Sequence, residues 1–349
     1  MFQTEFVHFI QSFESPALTF IMKVITGMGY PEFFIVFLIT VMTFFDFRKG
    51  FLLMQIIIIT GALTEFLKIS FALPRPCDVD SSVLLPGKDH ANSSPFLNKG
   101  AATFWSLPPG EVINYFRNMK DISYGLPSGH TSSAAALWGS VIVLFQKRWI
   151  QITSAVLILL IPLSRIYLGR HFLGDILGGY LVGFCMLLIF YFLVYRKNIL
   201  SGFLALSHWI IVSRIRNFLV IVYLLFFPFV IYYLVPGKFT ETAGFLLGIN
   251  IGFMIISFRG YPYYPKNPGK AVLRLFISSA VFLICGYFIH TALSTIFKTE
   301  NLEFIFLRNS LIIIFGIVIS HEIGIKLKLV ELRKRAAVLS NDKEKKLQI

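Results

Sequence analysis

Charge is what this chain has least of. Only 14% of its 349 residues are Asp, Glu, Lys or Arg, against about a quarter in an ordinary soluble domain. With 56% hydrophobic residues and a mean hydropathy of +0.73, that scarcity excludes a soluble globular protein and leaves an integral membrane protein. Cysteine is scarce too: there are three, which excludes a disulfide framework. Cys185 and Cys285 lie in apolar runs and read as core, and Cys77 stands in a loop without an obvious partner. Acids number 18 against 32 bases, a net charge of +14. In a soluble protein that excess would point to nucleic acid. Here it reads as lysines and arginines gathered in cytoplasmic loops, and no nucleic-acid partner is expected. The N-terminus, "MFQTEFVHFIQSFESP", lacks the basic region of a cleaved signal peptide, and its phenylalanines point to an amphipathic helix on the membrane surface. No internal repeat is visible.

What is abundant is apolar sequence in runs near the bilayer-crossing length of about 20 residues. The fold expected is all-α: a polytopic membrane helix bundle of about nine transmembrane helices, at 31–47, 50–71, 128–146, 150–168, 172–195, 211–235, 241–258, 271–296 and 304–325. A tenth candidate, 16–29, would reach only about 21 Å as a helix and carries Lys23, so it reads as half-inserted. Arg48, Lys49, Lys147, Arg148, Arg196, Lys197, Arg214, Arg216, Arg259, Lys266, Lys270, Arg274 and the tail from Lys326 to Lys346 fall on one side. That side, with the C-terminus, is expected to be cytoplasmic. Two parts follow: 1–200, with the interfacial helix and a long outward loop at 77–126, and 201–349, four further spans with a basic tail. "RGYPYYPKNPGK" (259–270) suits a headgroup-level anchor.

Three outward stretches hold the polar residues that a greasy chain would otherwise avoid. In "KISFALPRP" (68–76), Lys68 ends a span with Glu65 one turn earlier to neutralise it, and the prolines hold Arg75 at the surface. In "GLPSGHTSSA" (125–134), Ser128 reads as an N-cap, Gly129 allows close backbone approach, and His130 sits in a first turn whose free N–H groups suit an anion. In "SRIYLGRHFLGD" (164–175), His171 and Asp175 share a helical face if a helix starts there. The carboxylate would then orient the imidazole as nucleophile or base. Arg165 suits phosphate oxygens, whereas Arg170 reads as a snorkelling residue. Singly, each motif also has a plain structural reading: a capped helix start, an ion pair closing a loop, a lysine with a local acid. Together, three cations, a helix N-terminus and two histidines, of which one has a carboxylate behind it, fit a tetrahedral dianion with a nucleophile and a general acid.

These residues resemble the signature of the type 2 phosphatidic acid phosphatase (PAP2) superfamily: K-x6-RP, then PSGH, then SR-x5-H-x3-D. Lys68, Arg75 and Pro76, then Pro127, Ser128, Gly129 and His130, then Ser164, Arg165, His171 and Asp175 match it in order and spacing. The resemblance covers 68–175 and implies a PAP2-like core. It implies that His171 attacks phosphorus, Asp175 orients it and His130 protonates the leaving oxygen. Lys68, Arg75, Ser128, Gly129 and Arg165 would hold the phosphoryl group. Water, activated by His171 acting as base, would then release phosphate. No cofactor or metal is expected, and His8, His90, His208, His290 and His321 read as structural or interfacial.

The expected function is hydrolysis of a lipid phosphate monoester or pyrophosphate on the non-cytoplasmic side of a bacterial inner membrane or an ER-type membrane, with the site facing periplasm or lumen. Alternatives are a phosphotransferase to a lipid acceptor, a glucose-6-phosphatase-like hydrolase of a soluble ester and, outside enzymes, a lipid transporter or flippase. A homo-oligomer is left open. "TFWSLPPG" and "VINYFRNMK" in the long loop read either as a lid over the substrate or as an interfacial loop without contact to it.

Overall fold

A computed structural model describes residues 1–87, 91–119, 123–196, 214–234, 237, 239–265, 267–297 and 299–333. They fall into two compact units, Met1–Val36 with Ile56–Phe192, and Phe37–Gln55 with Leu193–Ile349.

The first unit opens with two short helices, α1 (Glu5–Gln11) and α2 (Pro16–Gly27). Ser15 caps α2 by accepting from Leu18 N, and Pro16 takes the first helical position, where a missing N–H costs nothing. The sequence Gly27-Met28-Gly29-Tyr30 then breaks the helix. The chain resumes at Pro31 as α3 (Pro31–Thr40), which runs on through a π-helical turn, Val41–Phe45. The two segments are bent by 58°. α2 lies along the end of α8 (Arg148–Tyr167), with Thr19 Oγ1 2.7 Å from the Tyr167 hydroxyl. α1 docks through Gln11, which bonds Leu84 on both its amide atoms and the Tyr167 carbonyl, while Phe9 and Phe13 stay exposed.

α4 (Phe47–Phe71) is followed by one turn, α5 (Pro76–Val79), and an outward loop containing α6 (Gly110–Arg117). α7 (Gly129–Leu144) packs on both α8 and α9 (Leu173–Phe190). Small residues permit this. A Cβ at Gly179 would meet the Ser128 carbonyl at 2.7 Å, and one at Gly183 would meet the Ser132 carbonyl at 2.6 Å. The α7 and α9 backbones therefore touch, as small residues allow between membrane helices. Thr64 Oγ1 and Ser132 Oγ, 2.7 Å apart, tie α4 to α7.

In the second unit, α11 (Thr240–Arg259) packs on α10 (Arg214–Leu234) and α13 (Leu302–Lys326), and α12 (Pro268–Ile296) packs on α13. Gln55, Tyr223 and Asn250 form a satisfied polar network: Gln55 donates to Asn250 Oδ1, Tyr223 to Gln55 Oε1, and Asn250 to the Leu224 carbonyl, each at 2.8 Å. Phe51 stacks on Phe253 at 3.8 Å. The two strands, β1 (Tyr261–Tyr263) and β2 (Glu331–Arg333), pair antiparallel.

The protein is a helical membrane protein, but the described residues do not confirm nine spans. Among the described residues six helices have the length and apolarity to cross a bilayer, or seven if the bent pair counts as one span. The segment expected at 31–47 is the second arm of that pair. α7, expected as 128–146, has 16 residues, about 24 Å against a hydrocarbon core of about 30 Å. α10 offers only the shorter apolar stretch Phe218–Leu234, and residues 211–213 and 235 of that expected span lie outside the described residues.

Candidate active site

The residues picked out in the three motifs fall at one end of the helices of the first unit: the end of α4, the start of the α5 turn, the start of α7, the end of α8 and the start of α9. Lys68, in the last turn of α4, is buried, with Nζ 2.5 Å from Glu65 Oε1. After Phe71 the chain leaves the helix. Arg75 N donates to Asp78 Oδ2 (2.8 Å) and its Nη2 to Ser123 Oγ (2.7 Å). Gly125 joins the three motifs. Its N–H donates to the Leu73 carbonyl at 2.8 Å, and a Cβ there would lie 2.8 Å from Asp175 Oδ2 and 3.0 Å from the Pro74 carbonyl.

Ser128 occupies the N-cap position of α7, but its hydroxyl does not cap: Oγ is buried and without a hydrogen-bond partner. The backbone carries the connection instead, since Ser128 N donates to the Asp175 carbonyl at 2.9 Å. At Gly129 the side of the chain that a Cβ would occupy faces Lys68 Nζ, 3.4 Å away. The absent side chain thus lets a buried ammonium approach a helix N-terminus, and both favour an anion. His130 follows in the first turn, its ring meeting Tyr30 edge-on at 4.6 Å.

Arg165, in the last turn of α8, is buried and donates from Nη1 to Thr26 Oγ1 at 3.0 Å. His171 differs from the sequence expectation in one respect. It lies two residues before α9, which starts at Leu173, and so does not share a helical face with Asp175. The pair forms because Asp175, in the first turn, folds back over the helix start. Its Oδ2 lies 3.2 Å from His171 Nδ1 and also accepts from Phe172 N at 2.9 Å. That second bond anchors the carboxylate independently of the imidazole. His171 is 2% exposed and Asp175 0%.

Burial holds the His171 imidazole well below the ordinary histidine pKa, and the charges of Arg75, Arg165, Lys68 and His130 push it further the same way. The same three cations act on His130. The cations and both rings therefore share one electrostatic neighbourhood. Within it, Ser128 Oγ, His130 Nε2, Arg75 Nε and Arg165 Nε are buried and find no hydrogen-bond partner. Buried donors are rarely left so, and a group of them among cations is chemistry suited to an acceptor-rich anion.

Thr26, Tyr30 and Ser123, which touch Arg165, His130 and Arg75, were not foreseen. None belongs to a charged motif, and only the bend between α2 and α3 brings Thr26 and Tyr30 to this end. Cys77 is buried in α5 rather than in a loop. His8 pairs with Asp80 Oδ2 at 3.2 Å, His290 meets Phe304, and His321 is buried. His90 and His208 lie outside the described residues. Among the described residues, no cluster of three or more His, Cys, Asp or Glu side chains is placed to hold a metal.

Residues 49–199 match the PAP2 superfamily. The chain is 37% identical over 82 residues to phosphatidylglycerophosphatase B of Bacillus subtilis, covering 21% of this chain and 38% of that one. It is 28% identical over 89 residues to lipid A 4'-phosphatase of Bacteroides thetaiotaomicron, covering 26% and 40%. To sphingosine-1-phosphate phosphatase 1 of Rattus norvegicus it is 36% identical over 97 residues, covering 26% and 22%. The chain thus spans about two fifths or less of the length of these relatives. The crystal structure of Aquifex aeolicus LpxE aligns at a TM-score of 0.39 and 22% identity, over 54% of this chain and 93% of that one. The segment that gathers Lys68, Arg75, Ser128, Gly129, His130, Arg165, His171 and Asp175 at one end of its helices is thus the part of the chain that matches the PAP2 superfamily.

Proposed function

We propose that this protein is a membrane phosphatase that hydrolyses a lipid phosphate monoester or pyrophosphate through a phosphohistidine. The observation that carries this reading is the buried His171–Asp175 pair with Lys68, Arg75, Arg165 and His130 around it. With Nδ1 turned to Asp175, His171 has Nε2 free to attack phosphorus. The N–P bond forms as the P–O bond to the lipid breaks, and His130 gives its proton to the departing oxygen. Lys68, Arg75, Arg165, Ser128 and the Gly129 amide bind the non-bridging oxygens as charge moves among them. Asp175 stabilises the positive ring of the intermediate.

The second half-reaction departs from the sequence expectation that His171 activates water. In the phosphoenzyme its Nε2 is bonded to phosphorus and its Nδ1 faces Asp175, so it has no lone pair to offer. His130, having lost its proton, is the base. It takes a proton from water, the hydroxyl attacks phosphorus, and phosphate leaves His171.

The relatives' names describe phosphatases of phosphatidylglycerophosphate, lipid A and sphingosine 1-phosphate. Each of those substrates joins a phosphate to a lipid, which favours a lipid phosphate here. The basic residues at the opposite helix ends favour a site on the non-cytoplasmic side. The 49–199 segment would carry the chemistry, and the helices beyond it a structural role.

Phosphate release by the purified protein against phosphatidate, phosphatidylglycerophosphate, sphingosine phosphate, lipid A, a polyprenyl pyrophosphate and glucose 6-phosphate tests the reading. Turnover of one or more lipid phosphates well above glucose 6-phosphate is expected. Preference for the sugar phosphate, or transfer to an added lipid acceptor in place of release, would replace it.

A further inference from the structure

The corner Thr26–Tyr30 lies outside residues 49–199 and outside all three motifs, yet it touches two of the groups on which the proposed chemistry depends. The Tyr30 ring stands edge-on to the His130 imidazole, with centroids 4.6 Å apart and planes at 87°. Tyr30 is also an electrostatic neighbour of Arg165, whose guanidinium carbon is 6.0 Å from the ring centroid. Arg165 also donates to Thr26 Oγ1 at 3.0 Å. The backbone is as close as the side chains: a Cβ at Gly29 would fall 2.6 Å from His130 Cδ2. The corner is held in turn by Pro31, which starts α3, and by the 58° bend between the two arms.

We propose that Tyr30 is a positioning residue of the phosphate site, holding Arg165 through its hydroxyl and His130 through its ring. This rests on the functional reading above and extends it to a part of the chain that reading does not use. Arg165 and His130 must serve one phosphoryl group at once, the first on a non-bridging oxygen and the second on the bridging oxygen to the lipid. They come from different helices, α8 and α7, and neither has a carboxylate within salt-bridge distance among the described residues. A planar donor fork and an imidazole with no ion-pair partner keep rotamer freedom unless something packs against them. Tyr30 meets both. The ring meets His130 edge-on and lies 6.0 Å from the Arg165 guanidinium carbon, so removing the hydroxyl alone isolates what the hydroxyl adds.

Tyr30→Phe and Tyr30→Leu in the full-length protein separate them. Two readouts are needed: affinity for inorganic phosphate, measured by thermal shift without turnover, and the dependence of kcat/KM on leaving-group pKa across a series of aryl phosphates. Tyr30→Phe keeps the ring and loses the hydroxyl. It is expected to weaken phosphate binding about tenfold with the leaving-group dependence unchanged. Tyr30→Leu loses both and is expected to weaken phosphate at least as much, with a further loss of about tenfold confined to poor leaving groups. Phosphate affinity unchanged in Tyr30→Phe, or an unchanged leaving-group dependence in Tyr30→Leu, overturns the assignment. A wild-type protein that binds phosphate but hydrolyses none of these esters overturns the hydrolase reading, while the affinity of Tyr30→Phe still decides the Arg165 contact. A wild-type protein that neither binds nor hydrolyses overturns both.

Discussion

In the proposed reaction, His171 draws its chemistry from the Asp175 carboxylate at Nδ1 and from the buried, cation-lined surroundings of its ring. Asp175 orients Nδ1 from one side, while burial and three cations keep the ring from gaining a proton on the other. A nucleophile must be unprotonated, so the lowered pKa favours attack. His171→Ala is expected to cut phosphate release by roughly four orders of magnitude or more while the protein still inserts and folds, checked by single-turnover assay beside size-exclusion in detergent. The same shift fixes a pH dependence. The acid limb of kcat/KM, which reports the free enzyme, is expected below the about 6.5 of an ordinary histidine. For stability the sign follows from proton counting. Between the depressed folded value and about 6.5, the unfolded chain holds a proton on His171 that the folded protein refuses. Stability therefore falls as pH drops below about 6.5, and His171→Ala removes that part of the slope in a Tm-against-pH series.

At the scale of elements, the site depends on how closely α7 and α9 approach. Their contact places the α7 N-terminus against the Asp175 carbonyl and so aligns two motifs far apart in sequence. Gly183→Val tests this at a distance from the chemistry. Its Cβ would meet both the Ser132 carbonyl and the Ala135 Cβ at 2.6 Å. The expected cost is about 1–3 kcal/mol of stability, read as a lower Tm. Activity is expected to fall more steeply than the folded fraction, because the Ser128–Asp175 bond must lengthen. The α2–α3 break belongs to this scale as well. A continuous helix through residues 27–31 would carry Tyr30 away from Arg165, and the Gly-Met-Gly-Tyr-Pro run prevents it.

For the whole molecule, the proposed orientation rests on the sidedness of the basic residues. Lys147 and Arg148 stand at the end of α8 away from Arg165, and α9 runs from Asp175 toward Arg196. In sealed, right-side-out vesicles, a membrane-impermeant phosphate ester is expected to be hydrolysed without detergent, while an affinity tag at the C-terminus stays protected from added protease. Hydrolysis that appears only after permeabilisation would reverse the orientation.

Composition alone determined that this is a helical membrane protein, because burying so little charge among so many apolar runs leaves no other solvent for them. The spacing of Lys68, Arg75, Ser128, Gly129, His130, Arg165, His171 and Asp175 likewise singled out the candidate site residues, since polar motifs in an oily chain are conspicuous. What the pattern could not settle was geometry that depends on distant backbone. The apolar run makes α7 look like a full span, yet the helix ends at Leu144 and the chain turns through Phe145–Lys147 into α8. A helix starting at His171 would put it on one face with Asp175, yet the helix begins after it and Asp175 reaches back. Thr26 and Tyr30 are ordinary letters in an apolar run, and only the tertiary bend brings them beside Arg165 and His130. Local sequence encodes which groups are too polar to be there by default. Which of them meet is decided by close approaches between helices, and those depend on the whole packing.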